Sequence, residues 1–177
     1  MRSARFSTPS RVAVTALLIV LVSCSGAPNQ EKTFVLPSRE QFATVGLAIG
    51  AHCGTLDCHG DPARNMRVYG INGQRLNAFD VTGFGGTTED ELRATYESIV
   101  VLQPEVLAAA VQAGGAGDDW LVLGKGRGRI QHAGGQQLVP GGAADRCVTS
   151  WVAGLFDDAF RIACEQGAIV AAPIEDF

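Results

Sequence analysis

The chain has 177 residues, a length that suits one compact domain, and its formal charge is −4. This acidic balance argues against nucleic acid and anionic lipid headgroups as partners, because both carry negative charge themselves. Only 18% of the residues are charged and 22 are glycine, which predicts short elements joined by long loops and tight turns.

An export signal occupies the N-terminus. Arg2, Arg5 and Arg11 precede the apolar run VAVTALLIVLV, and the small residue Ser23 follows it. The run is shorter than the ~20 residues that a bilayer-spanning helix needs, and no later segment is long and apolar enough to span. The sequence therefore predicts export without a transmembrane anchor.

The last residues of this signal, Leu21-Val22-Ser23-Cys24, resemble the lipobox of bacterial lipoproteins. The resemblance implies a signal peptide over residues 1–23, lipidation of Cys24, and an anchor in the outer membrane on its periplasmic side, since Ser25 rather than aspartate follows the cysteine. An ordinary signal peptide with a chance cysteine is the alternative. Loss of the three signal arginines would change the formal charge from −4 to −7.

Residues 24–37 form a polar stretch with two prolines and little periodic pattern, which predicts a flexible tether. The domain then covers residues 38–177. Its first helix is predicted to be capped by Ser38, with apolar positions at three- and four-residue steps leading to Cys53. Residues 54–86 are rich in glycine and predict a long loop with one short strand at MRVYG, residues 66–70.

Three more helices are predicted beyond this loop. Thr88 and Glu91 form a capping box for a helix that ends near Leu102. Pro104 opens an alanine-rich helix that stops at the next glycine pair. Residues 119–142 predict another long loop, after which Asp145 caps a last helix with glycine in its interior. The fold class is therefore mainly α, a small helical domain with long glycine-rich loops.

Four cysteines follow Cys24: Cys53, Cys58, Cys147 and Cys164. In an oxidising compartment an even set of thiols is normally paired, but four cysteines allow three connectivities. A disulfide between Cys147 and Cys164 is favoured, because these two flank the last helical segment and its turn. Cys53 and Cys58 would then be left to each other or to a cofactor.

The segment CGTLDCHG, residues 53–60, places a histidine directly after the second of two cysteines. Together with the preceding amphipathic helix, the later HAGG at His132 and the C-terminal SWVAG, it resembles the pattern of small bacterial c-type cytochrome domains. The similarity covers roughly residues 38–156. It implies a cytochrome c-like fold and a covalently bound haem c. The departure from the family is the spacing, because four residues rather than two separate the thiols.

Carried over position by position, the resemblance implies that Cys53 and Cys58 are thioether anchors and that His59 is the proximal ligand of the haem iron. His132 is the candidate sixth ligand, since flanking glycines allow close approach to a flat cofactor. Met66 is too near to His59 in sequence to reach the opposite haem face easily. A five-coordinate iron is also open.

Two other interpretations of the same residues are a small disulfide loop and a zinc site. In the first, Cys53 and Cys58 bond to each other and His59 only hydrogen-bonds a backbone carbonyl. In the second, both thiolates with His59 and His132 give a tetrahedral Cys2His2 set. His52 is interpreted as a helix-end histidine that compensates the helix dipole.

The segment GKGRGR, residues 124–129, lacks P-loop spacing and predicts a solvated basic turn, whose cations could neutralise haem propionates. No acid–base pair or nucleophile setting is indicated, which favours an electron carrier or binding module over an enzyme. The sequence thus predicts a lipid-anchored periplasmic haem protein for electron transfer with a redox partner protein. The alternative is a non-haem lipoprotein stapled by disulfides that acts as a structural or partner-binding module.

Overall fold

The computed structural model describes residues 32–169. The predicted signal peptide, lipobox and Cys24 lie outside these residues. Within them the chain forms six α-helices and no strand, as expected for a mainly α domain. They are α1 (Phe42–Cys53), α2 (Glu89–Val100), α3 (Pro104–Gln112), α4 (Leu121–Gly126), α5 (Ala143–Ala153) and α6 (Asp158–Gly167). None of these helices is long and apolar enough to cross a membrane.

Helix α1 packs against α2, α5 and α6. Phe42, Val45 and Ile49 are buried as the periodicity predicts. The predicted cap is wrong by three residues: α1 begins after Gln41, and the Ser38 hydroxyl accepts a hydrogen bond from the Gln41 amide instead. The Ser38 carbonyl accepts from the indole of Trp151 at 2.7 Å, so the start of the domain is fastened to α5.

The predicted strand at residues 66–70 is wrong. This segment makes only an isolated bridge between Tyr69 and Gln74. The Arg67 amide donates to the Ser98 hydroxyl and the Tyr69 amide donates to the Thr95 hydroxyl, both on α2. Side-chain hydroxyls of α2 accept hydrogen bonds from these two backbone amides. The amides therefore need no partner strand.

The capping box at the start of α2 is confirmed. The Thr88 hydroxyl accepts from the Glu91 amide, and the Glu91 carboxylate accepts from the Thr88 amide at 2.8 Å. Pro104 occupies the first turn of α3, as predicted.

The second half of the domain differs from the prediction in two places. A short helix, α4, lies inside the predicted loop, and its Leu123 is fully buried. The predicted last helix is two helices, because Gly154 adopts φ +72° and ends α5. Asp145 lies in the first turn of α5 rather than at its cap, and Asp157 caps α6 by accepting from the Phe160 amide.

The core lies between α1, α5 and the short helices, where Trp120, Trp151 and Phe42 are its largest buried side chains. Cys147 on α5 and Cys164 on α6 form a disulfide, the pairing favoured from the sequence. The bond joins the two helices across the turn at Gly154.

Residues 75–86, here called the Arg75 loop, are organised around one guanidinium group. Arg75 donates to the carbonyls of Val81, Phe84 and Gly86 at 2.8 to 3.3 Å. It also pairs with the buried carboxylate of Glu91, with 2.7 Å between Nε and Oε1. The loop is therefore held in one shape although it contains no helix or strand.

Glu91 makes the stability of this arrangement depend on pH. Burial alone would raise the pKa of Glu91, but the hydrogen bonds from Arg75 and from the Thr88 and Leu76 amides together hold it below its usual value. A carboxyl group with a lower pKa in the folded state stabilises the fold above its unfolded pKa of ~4.3, and this contribution is lost as the pH falls.

We expect Glu91→Gln to be less stable than the wild type above about pH 5, with the difference closing as the pH falls to about 3. Urea unfolding midpoints of both proteins across this range measure the effect. Two parallel curves would show that Glu91 does not account for this part of the acid sensitivity.

Candidate functional site

One cleft of about 290 Å³ brings together residues that the sequence placed in the haem site. Cys53, His59 and His132 all line it. Its apolar walls come from α1, α4 and the loops: Ile49, Met66, Leu102, Leu121, Val122 and Leu138. Three segments that are far apart in sequence thus meet around a space with an apolar interior and a few polar groups, the usual form of a cofactor site.

The four residues between Cys53 and Cys58 form a compact turn. The Thr55 carbonyl accepts from the amides of Cys58 and Gly60, each at 2.9 Å. The Cys53 carbonyl accepts from the His59 amide, also at 2.9 Å. Thr55, Leu56 and Asp57 point to solvent, so the additional residues protrude while His59 returns to the end of α1.

Gly60 lies where two backbone segments cross. A Cβ atom on Gly60 would lie 2.2 Å from the Gly54 carbonyl oxygen and 2.6 Å from the Gly73 Cα. Both contacts are with backbone, which cannot rotate away. The chain after His59 can therefore pass under residue 73 only with glycine at this position.

We expect Gly60→Ala to lower the free energy of unfolding by ~1–3 kcal/mol, the usual cost of overpacking. Gly86→Ala is the matched control, because a Cβ there meets nothing within 4 Å and its φ is not positive. Urea denaturation of both variants measures the difference. Equal stabilities would show that the crossing has more room than the structure gives it.

His59 is oriented by a backbone hydrogen bond. Its Nδ1 lies 3.1 Å from the Met66 carbonyl oxygen, which as an acceptor fixes the proton on Nδ1 and leaves Nε2 with its lone pair. Burial lowers the pKa of His59, as do the nearby His132, Arg64 and Lys125, while the bond to Met66 opposes them. The ring is therefore neutral at pH 7, the state in which imidazole binds a metal.

The two thiols of the motif are not bonded to each other. Burial raises the pKa of the Cys53 thiol to about 12, and the nearby Cys58 adds to the effect. A thiol in this state is protonated at neutral pH, so Cys53 is a poor thiolate ligand and a weak nucleophile without help.

His132 reaches the cleft from the glycine-rich loop after α4. Its Nδ1 is buried and has no hydrogen-bond partner within residues 32–169. A Cβ on Gly134 would lie 3.1 Å from its Nε2, so Gly134 leaves room for the ring. Because buried polar atoms are normally paired, this nitrogen is available to a water molecule or to a bound group.

The basic segment GKGRGR is not a solvated turn. Arg127 is largely buried, pairs with Asp145 at 2.6 Å and with Asp118, and donates to the Thr149 hydroxyl. Arg129 pairs with Asp118 at 3.0 Å. Arg127 thus fastens the end of α4 to α5, and of the three cations in the segment only Lys125 lines the cleft.

Sequence reasoning missed two features of this site. Arg64 lines the cleft beside Lys125, and its Nε donates to the Cys58 carbonyl at 3.2 Å. The second feature is the wall formed by α4, for which the apolar triplet Leu121-Val122-Leu123 was the only available signal.

Among the described residues, no group of three or more His, Cys, Asp or Glu side chains is arranged to hold a metal ion by itself. The Cys2His2 zinc set is therefore not assembled. His52 does not line the cleft: its Nε2 lies 3.0 Å from the Gly167 carbonyl oxygen and joins α1 to the end of α6.

Comparison of the chain with family models, with curated proteins and with solved structures finds no match. The functional argument therefore depends on the geometry of the cleft and on the motif.

Proposed function

We propose that this protein is a c-type haem protein that transfers electrons, anchored by lipid at Cys24 to the periplasmic face of the outer membrane. The observation that carries the proposal is the meeting of Cys53, His59 and His132 in one apolar cleft. Cys53 and His59 come from one turn and His132 from a loop more than 70 positions later. Nothing in a small disulfide loop requires that meeting.

The residues present fit a haem. The two thiols of the turn are unbonded, and Cys53 lines the cleft whereas Cys58 does not. Two thioether links would therefore require the Cys58 side chain to turn toward the cleft. His59 has a neutral ring with Nε2 unoccupied, and His132 has a buried nitrogen without a partner. Apolar walls suit the macrocycle, and Lys125 with Arg64 provide positive charge for its carboxylates.

Each of these residues has a defined part in the proposal. The bound haem would supply one-electron chemistry at its iron. Cys53 and Cys58 would hold the haem through thioether bonds, each formed by addition of an S–H group across a vinyl group. The Met66 carbonyl holds the His59 ring in the tautomer with a free Nε2, the form that would bind iron. His132 would be the second nitrogen ligand.

The visible absorption spectrum of the exported protein tests the proposal. The protein is purified from a host that carries c-type maturation machinery and is measured before and after dithionite. Sharp reduced bands that survive acid-acetone extraction would support covalent haem. A colourless protein whose intact mass is four hydrogens below that of its reduced form would contain two disulfides and would favour the structural lipoprotein instead.

A further inference from the structure

The Arg75 loop exposes an apolar surface that nothing else within residues 32–169 covers. Phe79 is 91% exposed, Phe84 73%, Val81 61% and Leu76 45%. Four large apolar side chains in nine consecutive residues exceed the scattered exposed apolar residues of an ordinary surface.

The shape of this surface is held from within. The side chain of Arg75 is itself buried, and its guanidinium donates hydrogen bonds to the carbonyls of Val81, Phe84 and Gly86. These carbonyls would otherwise have to give up water when the loop enters an apolar medium, at a cost of several kcal/mol each. The loop therefore presents apolar side chains while three of its backbone acceptors are already satisfied.

The loop also carries no net charge. Its only acidic side chain, Asp80, lies 3.7 Å from Arg75. An uncharged apolar surface on an acidic protein fits a neutral lipid surface better than a charged one. We infer that the Arg75 loop inserts Phe79 and Phe84 into the interface of the bilayer to which the protein is anchored, and so orients the domain on the membrane.

The position of the tether supports the bilayer as the occupant. Leu36 packs against the core and the Pro37 carbonyl accepts from the Tyr96 hydroxyl, so the tether joins the domain beside α2. Leu36 lies twelve positions after Cys24, and a fully extended chain spans about 40 Å over that length. Glu91, the residue of α2 that pairs with Arg75, lies five residues before Tyr96. This separation corresponds to ~8 Å along the helix axis.

This inference depends on the lipid anchor of the proposed function but not on the haem. The lipid-anchor hypothesis and the haem hypothesis can be tested separately. The lipid is detected in the mass of the mature chain, and the haem in its absorption spectrum. A chain recovered without lipid would disprove the anchor, and the loop is then tested by adding that chain to preformed vesicles.

The test is fluorescence quenching in phosphatidylcholine vesicles whose acyl chains carry bromine. A tryptophan is introduced in the full lipidated protein at the loop as Phe79→Trp. The matched control is Val101→Trp: Val101 is 68% exposed and lies five residues from Tyr96 on the other side. Glu91, which holds the loop, and Val101 are thus equally far from Tyr96 along the chain. The native Trp120 and Trp151 are buried and add the same background.

For each variant the fluorescence in brominated vesicles is divided by that in unbrominated vesicles, which cancels fixed quenching inside the protein. We expect the ratio to fall about twofold for Phe79→Trp and to stay near one for Val101→Trp, because an inserted side chain reaches the acyl chains. Fluorescence ratios near one for both variants would overturn the inference, and the apolar loop would then be assigned to binding of a protein partner. An equal fall in both would overturn it as well, since the domain would then have no preferred orientation.

Discussion

If the protein carries covalent haem as proposed, the variant Cys53→Ala/Cys58→Ala loses it, and visible absorbance per protein after acid-acetone extraction falls more than about tenfold. Without the two thiols no thioether can form, whatever haem the cleft still holds by contact. The measurement is the absorption spectrum of the extracted protein.

His59→Ala removes the proposed iron ligand and keeps the two proposed anchoring thiols. The thiols are still present, so pigment attached during export can remain, but the sharp reduced bands of a low-spin iron should disappear. His132→Ala should keep the pigment and change the spectrum to that of an iron that has lost one axial ligand. An unchanged spectrum in His132→Ala would show a five-coordinate iron or a different sixth ligand.

His52→Ala is the matched control for both histidines. His52 lies one residue before Cys53 but bonds the Gly167 carbonyl and does not line the cleft. Its spectrum should match that of the wild type, with only a loss of stability. If all three histidine variants behaved alike, the haem site would be elsewhere or absent.

The second large effect is expected on the free energy of unfolding, when the disulfide between Cys147 and Cys164 is removed. Both residues are fully buried, and their sequence separation is 17. We expect Cys147→Ala/Cys164→Ala to lower the free energy of unfolding by ~3 kcal/mol at 25 °C, because a loop of this length loses its closure in the unfolded chain. Urea denaturation of the oxidised wild type and the variant measures the difference.

Ile162→Ala on the same helix is a suitable control, because its partly exposed side chain is not part of the core. It should cost clearly less than the double variant, about 0.5 kcal/mol. A double variant as stable as this control would mean that packing of α5 on α6 alone holds the two helices together.

Three local signals in the sequence predict the structure correctly, each with all its interacting groups in one short segment, whereas the helix caps predicted at Ser38 and Asp145 are wrong. The Thr88–Glu91 capping box, Pro104 at the start of α3 and the apolar stripe of α1 were all predicted, since their partners lie within a few residues. The mainly helical class followed from the same periodicities. The pairing of Cys147 with Cys164 was also favoured from spacing.

Predictions failed where distant residues decide the outcome. The segment 66–70 has strand-like residues, but Thr95 and Ser98 of α2 take its amides. The glycine-rich neighbours of Arg127 predict a solvated side chain. In the structure Arg127 is largely buried and forms ion pairs with Asp118 and Asp145. The Arg75 loop has no local signal, because its hydrogen bonds converge on one guanidinium from several turns.

The sequence by itself determined the helical periods, the capping box at Thr88 and the composition of the motif at residues 53–60, since these depend on groups that are neighbours along the chain. Only the tertiary structure decided that His132 meets Cys53 and His59 in one cleft, and that Phe79 and Phe84 face outward. Such juxtapositions depend on how the helices pack and on which backbone groups distant side chains satisfy, and a linear pattern contains no information about either.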